Sequence, residues 1–342
     1  YKEIAKIFSI ESKYVALKEY IPMGNPSLSH FDLKSETISL KNDDEVLVTN
    51  KWISVDPYMR ARMTERKNYK PPFEIGKPME GTAIGEIIES KSNNFKKGDF
   101  VLSEFGWRDN FIANSESLKK INPINVPIQT YLGPLGFTGH TAYIGLFRIA
   151  KIKQNQTILV SSAAGSVGST VCQIAKILGC KVIASTGSDE KVEWLKKEIG
   201  VDHAFNYKKI DNLVLHFKDI CPEGFDIYFD NVGGDFLEAA IFRMKNFGRI
   251  VICGRISQMN ATSPGEGLKN MAHVLVKRLT IKGFLIFDHY DDYKDFENDM
   301  SNWIINKKIK WRETIVEGIE NSPQAFLDLL NGKNIGKMIV KI

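Results

Sequence analysis

The sequence predicts an α/β protein of two domains, a compact β barrel followed by a doubly wound parallel sheet. Three observations carry that expectation. Residues 1 to about 120 hold short β-rich segments punctuated by Gly and Pro, and from about residue 155 apolar strands alternate with amphipathic helical stretches. The length, 342 residues, exceeds the roughly 250 to 300 residues that one hydrophobic core usually serves. A composition of 43% hydrophobic and 11% aromatic residues is that of a folded chain, which excludes disorder, collagen and coiled coil.

In the first domain, residues 45–49, 81–88 and 99–102 are the clearest strands. In the second, residues 157–161 form a strand, after which Val167, Val171, Ile174, Ala175 and Leu178 fall at helical spacing and residues 181–185 form the next strand. A helix over 189–198 and strands at 203–206, 225–229, 248–253 and 280–284 continue the alternation. The last segment, 336–342, reads as a strand with no helix after it, returning to the first domain. The expected partition gives residues 1–125, completed by 300–342, to the barrel and 126–299 to the parallel sheet. There is no internal repeat and no low-complexity tract.

Composition narrows the function. The 46 basic and 41 acidic residues leave a net charge of +5, with no run of five or more basic residues, so neither a nucleic-acid surface nor a polybasic lipid surface is expected. No stretch approaches the ~18 apolar residues of a membrane helix, and no charged-then-apolar signal pattern opens the chain, so a soluble, cytoplasmic protein is expected. Cys172, Cys180, Cys221 and Cys253 include no Cys-x-x-Cys pair. They suit core packing in a reducing compartment.

The run Ala163-Ala164-Gly165-Ser166-Val167-Gly168 lies between a strand and a helix, where a dinucleotide-binding turn belongs. Gly165 would let the backbone approach a pyrophosphate held at the helix N-terminus, and Gly168 would let the helix pack close to the strand. The first position is Ala163 rather than Gly, a departure from Gly-x-Gly-x-x-Gly, and a turn that serves packing alone is the competing reading.

The ribose carboxylate of an NAD site is missing: no Asp or Glu occurs from Ser169 to Ser188. Strand two ends instead in Ser185-Thr186-Gly187-Ser188, with Lys191 in the following helical turn, which would admit and neutralise a 2′-phosphate. NADPH is therefore expected over NADH, with an exposed helix lysine as the alternative reading of Lys191. A catalytic zinc is not expected. The first 171 residues hold no Cys, and only His30 and His140 precede the glycine turn. Neither His-Glu-x-x-His nor Gly-x-Ser-x-Gly occurs.

Taken together, these segments resemble the zinc-independent medium-chain reductases, specifically prostaglandin reductases and alkenal double-bond reductases. The resemblance covers nearly the whole chain. It rests on Ser54-Val-Asp-Pro-Tyr-Met-Arg-Ala-Arg-Met63, Thr141-Ala-Tyr143, the turn ending at Gly168, Gly187-Ser-Asp-Glu-Lys191, Phe205-Asn-Tyr207, Phe229-Asp-Asn-Val-Gly-Gly234, Cys253-Gly254 and Gly332-Lys-Asn-Ile-Gly-Lys337. It implies a GroES-like β domain joined to a Rossmann domain, a homodimer, and NADPH and substrate in a cleft. By the same resemblance Gly165, Ser166, Val167 and Gly168 hold the pyrophosphate, and Lys191 and Tyr207 contact the 2′-phosphate region. Asn231, Cys253, Gly254, Ile256, Ser257, Phe284, Leu285, Ile286 and Asn334 line the rest of the cofactor. Read by themselves, Tyr207 is a half-buried aromatic beside a strand and Asn231 a turn residue before Gly233.

The implied reaction is hydride delivery to the β-carbon of an α,β-unsaturated aldehyde or ketone, such as a 2-alkenal or a 15-oxoprostaglandin-type enone, then protonation at the α-carbon. A hydrogen-bond donor must meet the developing oxyanion. Relatives carry Tyr where this chain has Met259, and a thioether cannot donate. Tyr58 is the phenol retained as catalytic candidate, against the reading of a packed aromatic, with Tyr290 a spare that no motif supports. Two alternatives stand beside this expectation: an NADPH-dependent quinone oxidoreductase, and a non-catalytic NADPH-binding protein motivated by Met259.

Overall fold

The computed structural model describes residues 8–123 and 125–342. They divide into two compact units: one takes the chain up to Leu132 with Thr314–Lys333 and Met338–Ile342, the other Gly133–Glu313 with Asn334–Lys337.

The first unit is antiparallel. Strands β1 (Ser9–Leu17) and β2 (Phe31–Ser39) form a hairpin in register from Ser9↔Ser39 to Leu17↔Phe31. Strand β3 (Glu45–Ser54) is the shared element. It pairs with β4 (Ala83–Ser90) along its length and, over residues 45–49, with β6 (Asn110–Asn114). Between them β5 (Phe100–Ser103) pairs with β4 and with β7 (Lys119–Ile121). Register shifts between Leu47/Val48 and Asn50/Trp52 bend β3, so one strand serves several neighbours.

The second unit begins with α1 (Phe137–Ile144) and then alternates strand and helix: β8 (Thr157–Val160), α2 (Ser166–Ile177), β9 (Lys181–Thr186), α3 (Asp189–Trp194), β10 (His203–Asn206), α4 (Leu213–Ile220), β11 (Phe225–Asp230), α5 (Gly234–Phe242), β12 (Met244–Ile252), α6 (Met271–Val276), β13 (Thr280–Gly283) and α7 (Tyr293–Ile305). The strands are parallel in the order β10-β9-β8-β11-β12-β13. This is the doubly wound arrangement, whose order reverses between β8 and β11 and opens a crevice at the carboxyl ends of those strands. All four residues of β8 are buried, as a strand covered on both faces requires. The helix expected over 189–198 is α3 followed by a wider turn at Leu195–Ile199.

The chain then returns through β14 (Glu313–Glu317), α8 (Ser322–Leu330) and β15 (Lys337–Lys341), which joins β3 antiparallel in the first unit's sheet. The first unit's core depends on this return. Phe326, Met338 and Val340 pack with Val15, Ile53, Met59 and the fully buried Trp107. Phe326 meets Trp107 edge-on, with ring centroids 6.2 Å apart.

The second unit runs beyond residue 299, and specific ties hold the extra segment. Tyr143 Oη donates to Asp299 Oδ2 at 2.5 Å, and Gln173 exchanges two 2.7 Å hydrogen bonds with the Lys310 backbone. Asn334–Lys337 rejoins the same unit, because Gly336 N donates to Ala164 O at 2.7 Å.

Candidate active site

In a parallel sheet every strand ends on the same side, so the segments that follow these strands share one edge. Across the sheet these are Tyr207 after β10, Gly187 and Lys191 after β9, the glycine turn after β8, Asn231 after β11, Cys253, Gly254, Ile256 and Ser257 after β12, and Phe284, Leu285 and Ile286 after β13. Asn334 reaches the glycine turn from the far end of the chain. Its Nδ2 donates to Gly336 O at 2.8 Å, and Gly336 bridges Gly165. The sequence-predicted residues of the second unit thus fall along one edge. Tyr58 belongs to the first unit.

The glycine turn is built for close approach. Ser162 takes the left-handed conformation (φ 47°), whereas Ala163, where the motif has its first glycine, does not, which is why alanine is accepted there. A Cβ on Gly168 would stand 2.3 Å from Ser162 O and 2.8 Å from Ala163 Cα, so only glycine lets α2 start against the strand. The N–H groups of the first turn of α2 have no helical acceptor and face the dipole's positive end outward. Ser166 Oγ is held by Thr138 Oγ1 at 2.6 Å. This cradle fits a pyrophosphate.

At the end of β9, Ser188 caps α3, accepting Lys191 N at 3.3 Å. A Cβ on Gly187 would stand 3.4 Å from Tyr207 Cε1 and 3.6 Å from Lys208 Nζ. Burial, and then the charge of Lys208, pull the Lys191 ammonium below the usual lysine value. The nearby Asp189 carboxylate is engaged by Lys209 Nζ at 2.5 Å and Asn206 Nδ2 at 3.2 Å.

After β11, Asn231 is fixed to the end of β8: its Nδ2 donates to Ser161 O at 2.8 Å and its N to Ser161 Oγ at 3.0 Å. Asp230 is wholly buried beneath it. Its Oδ1 accepts from Tyr228 Oη (2.7 Å), Val232 N (3.0 Å) and Gly233 N (2.8 Å), and its backbone oxygen from Cys253 N (2.9 Å) and Gly254 N (3.1 Å). Asp230 therefore ties the turns after β11 and β12 together, and burial raises its own carboxyl above the ordinary range. Ser257 Oγ donates to Val232 O at 2.6 Å. The Cys253 thiol, pushed up to about 12 first by burial and then by Asp230, is no nucleophile at neutral pH. Asp230 and Lys208 were missed in the sequence, although both sit inside quoted or adjacent motif residues.

Tyr58 lies on a helical turn, Pro57–Met63, anchored by buried Met59 and Met63. Burial, then the Asp56 and Glu104 carboxylates, hold its phenol protonated far above neutral pH. Lys70 Nζ sits 5.0 Å from the ring centroid and pairs with Glu104 at 3.6 Å. Met259 is half-buried after the Ile256–Gln258 turn. Among the described residues no group of three or more His, Cys, Asp or Glu side chains is arranged to hold a metal ion, and no helix is long and apolar enough to cross a membrane.

Comparison with known proteins agrees with this layout. Residues 13–121 match the family model described as the N-terminal domain of oxidoreductase, and residues 166–306 that described as zinc-binding dehydrogenase. The chain is 42% identical over 336 residues to prostaglandin reductase 1 of Bos taurus, covering 97% of this chain and 99% of the relative. It is 40% identical over 338 residues to the 2-alkenal reductase (NADP(+)-dependent) of Nicotiana tabacum, covering 97% and 98%. The solved structure of CurA from Vibrio vulnificus in complex with NADPH superposes with a TM-score of 0.91 at 38% identity, covering 96% of this chain and 98% of that one.

Fold and site thus define an oxidoreductase with a GroES-like domain and a Rossmann-type nucleotide-binding sheet. Within that class the chain belongs to the zinc-independent medium-chain dehydrogenases/reductases, in the prostaglandin reductase and alkenal double-bond reductase family.

Proposed function

We propose that the protein is an NADPH-dependent reductase of the carbon-carbon double bond of α,β-unsaturated aldehydes and ketones. The observation that carries this reading is the sheet edge itself. It has a glycine-only start to α2, the Lys208 ammonium at Gly187, and no carboxylate where an NAD site needs one, in a chain of this family.

In this reading Gly165, Ser166, Val167 and Gly168 hold the pyrophosphate, Lys191 and Tyr207 the 2′-phosphate region. Asn231, Cys253, Gly254, Ile256, Ser257, Phe284, Leu285, Ile286 and Asn334 hold the remainder. Bound nicotinamide supplies the hydride that goes to the β-carbon. The chain's task is to orient the alkene, hold the carbonyl oxygen as negative charge develops, and let a proton reach the α-carbon. The protonated Tyr58 phenol is the donor assigned to that oxygen, and the Met259 thioether leaves its own position without one.

The reading extends to a homodimer in the cytoplasm. Among the described residues no strand pairs with the outer side of β13, and beside it Leu275 and Val276 of α6 are 78% and 63% exposed. Phe247, bonded to the Lys277 backbone, is 69% exposed. An edge strand of this kind pairs with its own copy across a two-fold axis. The free thiols suit a reducing compartment.

The test is oxidation of NADPH, with NADH in parallel, on adding a medium-chain 2-alkenal, with the product identified. A saturated aldehyde formed with NADPH preferred is the expected result. Turnover of quinones but not alkenals, or NADPH binding with no turnover on either acceptor, would overturn the proposal.

A further inference from the structure

Lys208 and Lys209 are sequence neighbours with opposite fates. Lys209 turns to Asp189, at 2.5 Å, and is neutralised there. Among the described residues Lys208 makes no ion pair. Its backbone N donates to Asn206 Oδ1 at 3.1 Å, while Asn206 Nδ2 donates to Asp189, so one asparagine fixes both the carboxylate and the start of the Tyr207–Lys209 turn. The Lys208 side chain then runs back over the end of β9. A Cβ on Gly187 would lie 3.5 Å from its Cε and 3.6 Å from its Nζ, beside Tyr207 Cε1 at 3.4 Å.

Lys191 stands in the first turn of α3, just after the same strand end, and its ammonium is lowered first by burial and then by the charge of Lys208. Glu190 is the acid that acts on Lys191, and Asp189 is already taken. The Lys208 ammonium thus stands at Gly187, while the nearby Asp189 carboxylate is held by Lys209. That ammonium gains much from a dianion set at the end of β9, since hydrogen bonds between charged partners are about twice as strong as neutral ones.

We infer that Lys208 is a second cation for the cofactor's 2′-phosphate beside Lys191, reaching it from the turn after β10, and that this residue sets the preference for NADPH over NADH. The inference rests on the NADPH reading above. The adenosine 2′-hydroxyl of NADH offers no counter-charge, so Lys208 contributes to one cofactor and is indifferent to the other.

Calorimetric titration with 2′,5′-ADP and with 5′-AMP tests this without any turnover. Lys208→Met is expected to weaken 2′,5′-ADP by about tenfold or more, as loss of one charge-assisted phosphate contact does. It should leave 5′-AMP within about twofold of the unaltered protein, which also reports that the variant is folded. Lys208→Arg should restore most of the affinity, and Lys209→Met, at the neighbouring Asp189-paired lysine, should change neither ligand. Equal loss of both ligands, or no loss of either, in Lys208→Met overturns the assignment. If the unaltered protein binds 2′,5′-ADP no better than 5′-AMP, the NADPH reading itself fails and the assignment goes with it. A preference that survives Lys208→Met removes the assignment alone.

Discussion

Replacing Asp230 tests how the nucleotide edge is held. In Asp230→Ala the part-buried N–H of Val232 and the buried N–H of Gly233 lose their acceptor, whereas Tyr228 Oη keeps Ser161 Oγ at 3.1 Å. Each buried donor left unmade costs about 1–3 kcal/mol, so the variant should lose about 2–6 kcal/mol. For a cooperative unit near 200 residues that is about 4–24 °C in Tm.

Asp230→Asn keeps an oxygen at the same place and should lose less than about 1–2 kcal/mol. Differential scanning calorimetry of both variants reads the difference, and titration with NADPH reads whether Asn231 and Ser257 still hold their places. The pH dependence has a definite sign. Because folding raises the Asp230 carboxyl above 3.8, it adds stability that is complete below 3.8 and is lost as pH rises through the folded value. The unaltered protein should therefore gain on Asp230→Asn as the solution is acidified through that window. An alanine variant that melts with the unaltered protein, or an asparagine variant that melts with the alanine one, would refute the account of the Asp230 carboxyl as the acceptor that holds the turn after β11.

Other outcomes follow from the same geometry. Gly168→Ala sets a Cβ 2.3 Å from Ser162 O, so the turn must move; we expect about 1–3 kcal/mol of lost stability and a larger loss in NADPH affinity, both milder in Gly165→Ala, whose nearest atom is 3.3 Å away. Tyr58→Phe should cut kcat on alkenals by about tenfold to a thousandfold while leaving NADPH binding intact, and Met259→Tyr should recover part of that loss; an unchanged kcat in Tyr58→Phe removes the phenol from the reaction. His203 and His216, with rings 5.8 Å apart and buried Nε2 atoms that find no acceptor among the described residues, are held below 6.5 chiefly by burial, helped for His203 by His216 and opposed for His216 by Asp219. Their neutral forms stabilise the fold above pH 6.5, and that stability fades as pH falls through the folded values; a Tm profile flat from pH 7 to about 5 in the double His→Gln variant, beside a falling one in the unaltered protein, checks it.

Periodicity made the strands legible because a strand covered on both faces must be a short apolar run, as β8 and β9 are. The glycine turn was legible because its residues are local in sequence and its chemistry is steric. What stayed hidden depends on distance in the fold. Lys208 meets Gly187 because β9 and β10 are adjacent parallel strands, and nothing in residues 187 to 208 encodes that adjacency. Asp230 reads as an ordinary turn residue, and only burial on every side turns it into a structural acceptor. The end of the second unit is fixed by Gln173 gripping Lys310, a pairing that no local pattern announces.

The bridge between Gly165 and Gly336 sets the order in which the molecule matures. A ribosome delivers the glycine turn about 170 residues before the strip that buttresses it. Nearly half the chain must be closed as a loop before that contact forms, which is slow and entropically expensive. A nascent or prematurely ended chain can therefore assemble the parallel sheet while its nucleotide turn still lacks one wall. A product stalled between the two carries its defect at the site where it would have worked.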